Sequence, residues 1–181
     1  MRRLRYGVAM SLDGYIAGPN GEFDWIPQEP EIDFFAIFNQ FDTLVMGRKT
    51  FEMSFALSPG GTYDGGAYPG LRQVVVSRTL RGSDYPNVTV INDNVADAVA
   101  ALKEQPGKDM WLFGGGTLFQ SLLELGLVDG VDVAVTPVLL GGGIPFLPAP
   151  AIRTSLKLER QKVYKTSGIV TLEYAVNARH G

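Results

Sequence analysis

The sequence predicts a single α/β domain over residues 1–181, with a mostly parallel central sheet, helices on both faces and an antiparallel C-terminal hairpin. The chain has 181 residues, a length that suits one domain with one hydrophobic core. Short apolar runs alternate with amphipathic stretches in the order strand, helix, strand, helix, which is typical of parallel sheets. Near the end of the chain, two strand-like runs flank Lys-Thr-Ser-Gly, the pattern of a hairpin.

The first half of the chain divides at turn-forming residues. An apolar strand is predicted over residues 4–10, followed by a long loop with Asp-Gly, Gly-Pro and Asn-Gly turns. Apolar residues at mixed helical spacing predict a helix over 31–39. A short buried strand then covers 42–47, a second helix covers 48–55, and glycine-rich sequence makes 57–70 a loop.

The second half repeats the same alternation. Strands are predicted over 72–77, 87–92 and 109–114, and a strand that begins at 130 ends at Pro137. One helix is predicted over 94–105 with Asn94 as its N-cap, and another over 116–126, closed by Gly126. The hairpin occupies 155–176.

Composition argues against several classes of function. The chain has no cysteine, which removes disulfides, thiolate nucleophiles and sulfur-ligated metals. Its one histidine, His180, is next to last, so neither a Ser-His-Asp triad nor a histidine zinc site is expected. A net charge of -3 disfavours a broad nucleic-acid or membrane surface. Without a signal peptide or a long apolar run, the protein is predicted to be cytoplasmic.

Two triple-glycine turns differ in the sequence on their C-terminal side. Gly114–Gly116 lies between an apolar strand and an amphipathic helix, where free N–H groups and the helix dipole favour a phosphate. A tight, closely packed turn is the alternative, because the sequence is neither GxxxxGK[ST] nor a regular GxGxxG. Gly141–Gly143 precedes a stretch with three prolines, which cannot continue as a regular helix. It is predicted to be an irregular crossover into the hairpin.

Five stretches resemble, in order, those of the dihydrofolate reductase superfamily: AMSLDGYIAGPNGEFDW, LVMGRKTFE, VVVSR, LFGGGTLFQSLLELGLVD and TPVLLGGGIPF. They are most similar to the branch that contains the reductase domain of riboflavin biosynthesis, including stand-alone bacterial members. The resemblance covers nearly the whole chain and implies a dihydrofolate reductase-like fold with NADPH laid across the carboxyl ends of the strands. The zinc deaminase signature that usually accompanies that branch is absent, and Gly130 replaces its common glutamate. The substrate therefore cannot be carried over.

The resemblance assigns cofactor contacts to several strand ends. The glycine turn would hold the pyrophosphate, Gly-Arg-Lys-Thr the phosphates and adenosine end, Ser-Arg the 2′-phosphate, and two apolar residues would flank the nicotinamide. The pyrophosphate residues would be Gly114, Gly115, Gly116 and Thr117, and those at the phosphates and adenosine end would be Gly47, Arg48, Lys49 and Thr50. Ser77 and Arg78 would contact the 2′-phosphate, and Ala9 and Ile16 would flank the nicotinamide. Two basic turns at consecutive strand ends favour NADPH over NADH. Core packing for Ala9 and Ile16 and a solvated surface position for Arg78 are the alternatives.

Hydride transfer also needs a proton, from a carboxylic acid or from water. Counting back from Met-Gly-Arg, the resemblance places Glu31 at the carboxylate position and Phe35 one turn later, facing the substrate. For Glu31 the alternative is an acid placed at a helix N-terminus by the dipole. Asp13, in Ser-Leu-Asp-Gly, is the second candidate; it contacts the substrate or caps its loop. Asp33 is expected to face elsewhere on the helix.

The sequence thus predicts an NADPH-dependent reductase acting on a pteridine-like or ribosylaminopyrimidine-like substrate. A nucleotide-binding protein of the same fold without turnover is the alternative, because the catalytic acid is undefined and a usable histidine is lacking. No metal is expected, since soft and imidazole ligands are missing. The loosely alternating hairpin needs cover at its edge, and the riboflavin branch often dimerises, so a homodimer is predicted.

Overall fold

The computed structural model describes residues 1–56 and 70–177, apart from the side chains of residues 55 and 56. The loop predicted over 57–70 therefore lies almost wholly outside the described residues. The helices are α1 (Phe34–Phe38), α2 (Arg48–Ala56), α3 (Val95–Glu104) and α4 (Gly116–Glu124), with a 3-10 helix at Gly82–Asp84. The strands are β1 (Leu4–Ser11), β2 (Tyr15–Ala17), β3 (Phe41–Gly47), β4 (Arg72–Val76), β5 (Val88–Ile91), β6 (Asp109–Phe113), β7 (Gly130–Thr136), β8 (Ile144–Pro145), β9 (Leu156–Val163) and β10 (Val170–Val176).

Eight of these strands form one sheet in the order β5-β4-β3-β6-β1-β7-β10-β9. The pairs from β5 to β7 are parallel, whereas β10 runs antiparallel to both of its neighbours. The predicted fold class is thereby confirmed. The parallel strands read as apolar runs because helices cover both faces, which leaves little need for alternation with polar residues.

The two faces of the sheet carry separate cores. On one face, side chains of α3 and α4 pack on β1 and β6, and Tyr6 stacks on Phe119 with ring centroids 3.9 Å apart. On the other face, Phe51 of α2 joins Leu44, Met46 and other buried residues of β3–β5. Side chains alternate between the two faces along β3, so Val45 packs in the first core, whereas Leu44 and Met46 pack in the second.

A second, two-stranded sheet was not predicted. β2 lies in the turn-rich loop after β1, and β8 lies in the proline-containing stretch after Gly143; the two pair antiparallel. The stretch that was predicted to be an irregular crossover therefore contains a short strand, β8. Elements of three and two residues are too short to show a hydrophobic period, so the sequence carried no signal for them.

The first helix is shorter than predicted. It begins at Phe34, and Asp33 is its N-cap, with a carboxylate oxygen accepting a hydrogen bond from the Ala36 N–H at 2.9 Å. The prediction of a start at Glu31 is wrong, because a short side chain that caps the backbone outweighs an acid placed for the dipole. Asn94 occupies the N-cap position of α3 but makes no side-chain capping bond. Gly126, with φ of 71°, follows the end of α4 as predicted.

Among the described residues, none of the helices has the length and apolar character needed to cross a membrane.

Candidate active site

The carboxyl ends of neighbouring strands bring the predicted cofactor residues to one edge of the sheet. β3 and β6 are neighbours, and each leads within three residues into a helix, α2 and α4 respectively. β4, on the other side of β3, ends just before Ser77 and Arg78. Ligands of open α/β sheets bind at this edge, where helix N-termini present free N–H groups.

The glycine turn after β6 adjoins the first turn of α2. Gly114 and Gly115 have φ of 65° and 76°, a left-handed conformation that favours glycine. A Cβ atom built on Gly114 would lie 3.2 Å from Thr50 Cγ2, and one on Gly115 would lie 3.6 Å from Thr50 Oγ1. The two turns therefore form one surface, which we call the phosphate cradle: Gly47, Thr50 and Gly114–Thr117.

The phosphate cradle offers donors to an anion. The first hydrogen bond of α4 runs from the Phe119 N–H to the Gly115 carbonyl, so Gly116, Thr117 and Leu118 present N–H groups that the helix itself cannot satisfy. The residues that precede them lack side chains that would block an incoming phosphate. This donor set fits the diphosphate of a dinucleotide.

Three basic residues follow the carboxyl ends of β3 and β4. Arg48, Lys49 and Arg78 are all exposed. Arg48 lies 3.7 Å from Glu52, one turn later on α2, with both side chains about half exposed. An exposed pair of this kind contributes little, so Arg48 is free to turn toward a ligand.

Ser77 has a different position from that of a simple ligand contact. It is buried, and its Oγ accepts hydrogen bonds from the backbone N–H groups of Thr79 and Leu80 at 3.2 and 3.0 Å. The side chain of Asn92 donates to the carbonyl of Ser77 at 2.8 Å. Ser77 thus holds the turn that presents Arg78.

Beyond the cradle, small residues on β1 lie beside aromatic rings. Gly7 and Ala9 share one face of the sheet, and Ala9 is half-buried and pairs with Ala134 of β7. Trp111 Nε1 donates to the carbonyl of Gly7 at 2.9 Å, and its indole covers the space where a side chain at position 7 would stand. Ile16 lies on β2, also half-buried.

The aromatic wall consists of Phe38, Trp111 and Phe113. The rings of Phe38 and Trp111 stack with centroids 5.4 Å apart, and Phe113 meets Trp111 edge-on at 5.3 Å. Sequence reasoning missed this wall because it joins α1 to β6, which lie about 70 residues apart in the chain, over Gly7 of β1. Its one local signal was the glycine inside an apolar strand.

The predicted acids lie at the surface. Glu31 precedes α1 and is exposed, as is Asp33. Phe35, the predicted substrate contact, is 77% exposed, and its neighbour Phe34 is 55% exposed. The two phenylalanines leave aromatic surface open to solvent at the start of α1.

Asp13 is held within its own surroundings. Its carboxylate accepts hydrogen bonds from Ser11 Oγ at 2.6 Å and from the backbone N–H groups of Gly141 at 2.7 Å and Leu140 at 3.1 Å. These bonds, that from Ser11 foremost, lower the pKa of Asp13 below its usual range. Asp13 is therefore ionised at neutral pH and has no proton to donate.

Glu29 is a buried acid that the sequence did not indicate. Its carboxylate accepts hydrogen bonds from the backbone N–H groups of Ser167, in the β9–β10 turn, at 3.1 Å and of Glu31 at 3.0 Å. A hydrogen bond from the Ser167 side chain, foremost, and these backbone bonds hold the pKa of Glu29 below its usual range. The carboxylate thereby ties the segment before α1 to the C-terminal hairpin.

Asp132 lies on the same face of the sheet as Gly7, its partner in register. Burial raises the pKa of Asp132 to about 6, although Arg5 Nη2 lies 2.6 Å from its carboxylate and favours the charged form. Arg5 is buried and also lies 3.7 Å from Glu173. We interpret this cluster as support for the sheet beneath the site.

In the described ranges 1–56 and 70–177, no three His, Cys, Asp or Glu residues come together in a way that could hold a metal ion.

A mostly parallel sheet with the phosphate cradle at its strand ends defines an α/β domain of the dihydrofolate reductase-like class. The chain belongs to the family of the RibD C-terminal domain, whose model matches residues 2–172. That family places the chain among nicotinamide-cofactor-binding folds.

Individual relatives agree with this assignment. The chain is 36% identical over 183 residues to the uncharacterized protein YyaP of Bacillus subtilis (strain 168), covering 97% of this chain and 96% of YyaP. A solved protein from Shewanella sp. PV-4, assigned to riboflavin biosynthesis, has a TM-score of 0.79 at 26% identity over 98% of this chain and all of the other. A Thermotoga maritima diaminohydroxyphosphoribosylaminopyrimidine deaminase/5-amino-6-(5-phosphoribosylamino)uracil reductase shares the fold, with a TM-score of 0.71 at 17% identity. In that comparison the match covers 97% of this chain and 57% of the other.

Proposed function

We propose that the protein is an NADPH-dependent reductase that transfers hydride to a pteridine-like or ribosylaminopyrimidine-like substrate. The observation that carries the proposal is the proximity of Thr50 to the turn at Gly114 and Gly115, which brings the N-termini of α2 and α4 together. N–H groups at helix N-termini favour anions. Membership in the RibD C-terminal domain family supports it.

In this proposal the phosphate cradle binds the diphosphate. Backbone N–H groups of Gly116 and Thr117 donate to it, and the Thr50 and Thr117 hydroxyls add donors at the rim. Gly47 ends β3 directly before α2, and a Cβ atom there would lie 4.0 Å from Leu118 of α4, which places this turn beside the first turn of α4.

The basic residues beside the cradle select the phosphorylated cofactor. Arg48, Lys49 and Arg78 are exposed cations near the ends of adjacent strands, β3 and β4. An adenosine 2′-phosphate carries charge that these side chains can pair with, and a free 2′-hydroxyl does not.

When bound, NADPH supplies the hydride. The chain positions the reacting partners: Ala9 and Ile16 flank the nicotinamide, and the aromatic wall of Phe38, Trp111 and Phe113 excludes water from the floor beside it. Phe35, exposed on α1, offers a face for a flat substrate ring.

The proton comes from Glu31 or from water. Glu31 lies three residues before the start of α1 and is exposed to solvent. Asp13 is assigned no proton transfer because its carboxylate is ionised and bonded to three donors.

Binding and turnover test the proposal together. Isothermal titration with NADPH measures binding, and NADPH oxidation is followed at 340 nm against a panel of dihydropterins and aminopyrimidines. Oxidation with any member supports the reductase, whereas absence of NADPH binding contradicts it. The alternative, a nucleotide-binding protein without turnover, is favoured by the exposure of Asp13, Glu31 and Asp33, and tight binding without oxidation would support it.

We also propose that two copies of the chain associate. Every residue of the edge strand β9 is exposed, and its apolar side chains include Leu156, Leu158 and Val163 at 41%, 45% and 61% exposure. A long open edge with apolar residues favours pairing with a second edge. Sedimentation at micromolar concentration distinguishes a dimer from a monomer.

A further inference from the structure

Two loops at the nicotinamide end of the site are joined by one carboxylate. Asp13 follows β1, whereas Leu140 and Gly141 lie four and five residues beyond the end of β7. Both backbone N–H groups point at the Asp13 carboxylate, at 3.1 and 2.7 Å. β1 and β7 pair in parallel up to Ser11 and Thr136, and the Leu12 N–H donates to the carbonyl of Val138 at 2.8 Å, so the two loops leave the sheet side by side. The Asp13 carboxylate joins them beyond that point.

The Asp13 carboxylate also holds the start of β2, through the side chain of Ser11. Ser11 is fully buried; its hydroxyl donates to Asp13 and accepts a hydrogen bond from the Tyr15 N–H at 2.9 Å. β2, which carries Ile16, then pairs with β8, and the Phe146 N–H donates to the carbonyl of Gly14 at 2.9 Å. The position of Ile16 therefore depends on the segment that Asp13 holds.

That segment also touches the phosphate cradle. A Cβ atom on Gly116 would overlap the carbonyl oxygen of Pro145 and lie 3.1 Å from that of Phe146. A Cβ atom on Gly143 would overlap the carbonyl oxygen of Ala17. Residues 141–146 are thus wedged between the loop with Ile16 and the first turn of α4.

We infer that Asp13 is a positioning residue that sets the nicotinamide end of the cofactor site relative to the phosphate cradle, by holding Gly141 and, through it, residues 141–146. The inference rests on the proposed function and deepens it. Asp13 acts through Ile16 and Gly116 and itself stays out of the reaction.

The hydrogen bonds at position 13 require a carboxylate. Three donors converge on it, from Ser11, Leu140 and Gly141, and a carboxylate is an acceptor only. An asparagine of the same shape turns an NH2 group toward one of these donors, so at least one bond is lost. The Asp13→Asn variant therefore loosens the junction without creating a cavity.

The test separates the two ends of the cofactor. Titration calorimetry compares NADPH with 2′,5′-ADP, which has the adenosine and 2′-phosphate but no nicotinamide. In Asp13→Asn, the dissociation constant of NADPH should rise about tenfold or more, and that of 2′,5′-ADP should stay within about twofold. Ser11→Ala should give the same selective loss. Asp24→Asn, an exposed acid in the loop after β2, is the matched control and should change neither constant.

Two results would overturn the inference. An equal loss of affinity for NADPH and for 2′,5′-ADP would indicate that Asp13 stabilises the whole site. Unchanged NADPH affinity in Asp13→Asn would show that Asp13 does not position the nicotinamide end. Amide hydrogen exchange on the free protein adds a readout that needs no cofactor: the Gly141 amide should exchange faster in Asp13→Asn, and unchanged exchange also counts against the inference. A wild-type protein that binds neither ligand contradicts the proposed function instead, while the exchange result still decides whether Asp13 holds Gly141.

Discussion

Thr50 faces Gly114 across the boundary between β3 and β6, with Cγ2 and Oγ1 of the threonine 3.2 and 3.3 Å from the point where a Cβ atom of residue 114 would stand. Two turns that are 64 residues apart in sequence are therefore adjacent in the fold. In the proposed function they bind one ligand, so a substitution in either turn should weaken binding at both. This relationship makes the cofactor half of the site open to specific tests.

The basic residues beside the cradle should set the preference for NADPH. We expect NADPH to bind at least several-fold more tightly than NADH, because charge-assisted hydrogen bonds to the extra phosphate contribute roughly 1.5–3 kcal/mol each before screening. Arg48→Ala and Arg78→Ala should narrow the ratio of the two dissociation constants. Arg160→Ala, on the opposite edge of the sheet, is the control. Equal constants for the two cofactors in the wild type would refute the assignment.

Gly115 should be required for the cofactor, beyond its backbone conformation. Gly115→Ala and Gly126→Ala both place a side chain at positive φ, 76° and 71°, so their conformational strain is similar. Only Gly115 borders the phosphate cradle. Titration should therefore show a larger loss of NADPH affinity in Gly115→Ala, with similar losses of melting temperature in the two variants. Equal NADPH affinities in Gly115→Ala and Gly126→Ala would indicate that the glycine turn serves packing and does not bind the cofactor.

Gly7 and Trp111 should behave as a coupled pair. Gly7→Ala places a Cβ atom 2.5 Å from Trp111 Nε1, and overpacking of this kind costs about 1–3 kcal/mol. Trp111→Phe removes a hydrogen bond to Gly7 but makes room for the methyl group. In urea denaturation the double variant should lose less stability than the sum of the single losses. Additive losses would show that the indole does not stand over residue 7.

Glu31 should matter for turnover if it relays the proton. Glu31→Gln should keep NADPH affinity and lower turnover by about 10²-fold or more, the usual scale for a general acid. Asp33→Asn should change little, because asparagine caps a helix about as well as aspartate. Steady-state kinetics with the substrate found in the panel gives both values. Wild-type turnover in Glu31→Gln from pH 5 to 8 would assign the proton to water.

Glu29 should make stability depend on pH. Its pKa is depressed in the folded protein, so the carboxylate stabilises the fold above the unfolded pKa of about 4.3, and that stabilisation is lost as pH falls through the folded pKa. Thermal melting of Glu29→Gln should therefore fall several degrees below wild type at pH 7, and the gap should shrink below about pH 4. Glu104→Gln, exposed on α3, is the control. A gap that is the same at both pH values would argue against the ionised form.

The sequence predicted the parts of this fold that depend on neighbours in the chain. The strands of the central sheet are apolar runs, and the glycine turn before α4 lies where a strand meets an amphipathic helix, so local pattern and resemblance sufficed. The start of α1 was misplaced because Asp33 competes with Glu31, and only the conformation shows which one caps. The aromatic wall and the Glu29 bonds join residues from distant segments, and no spacing along the chain encodes such contacts.

The span of the Asp13–Gly141 bond has a consequence for how the molecule assembles. The phosphate cradle joins turns that are 64 residues apart, whereas the Asp13 junction joins loops 128 residues apart that follow the paired strands β1 and β7. The loop-closure cost of this separation falls on the pairing of β1 with β7, and the Asp13 junction can form only after these two strands are in place. During folding, the protein should therefore acquire the elements proposed to hold phosphate before the end proposed to receive the nicotinamide. A partly folded chain would then carry an anion site with no means of orienting a ring.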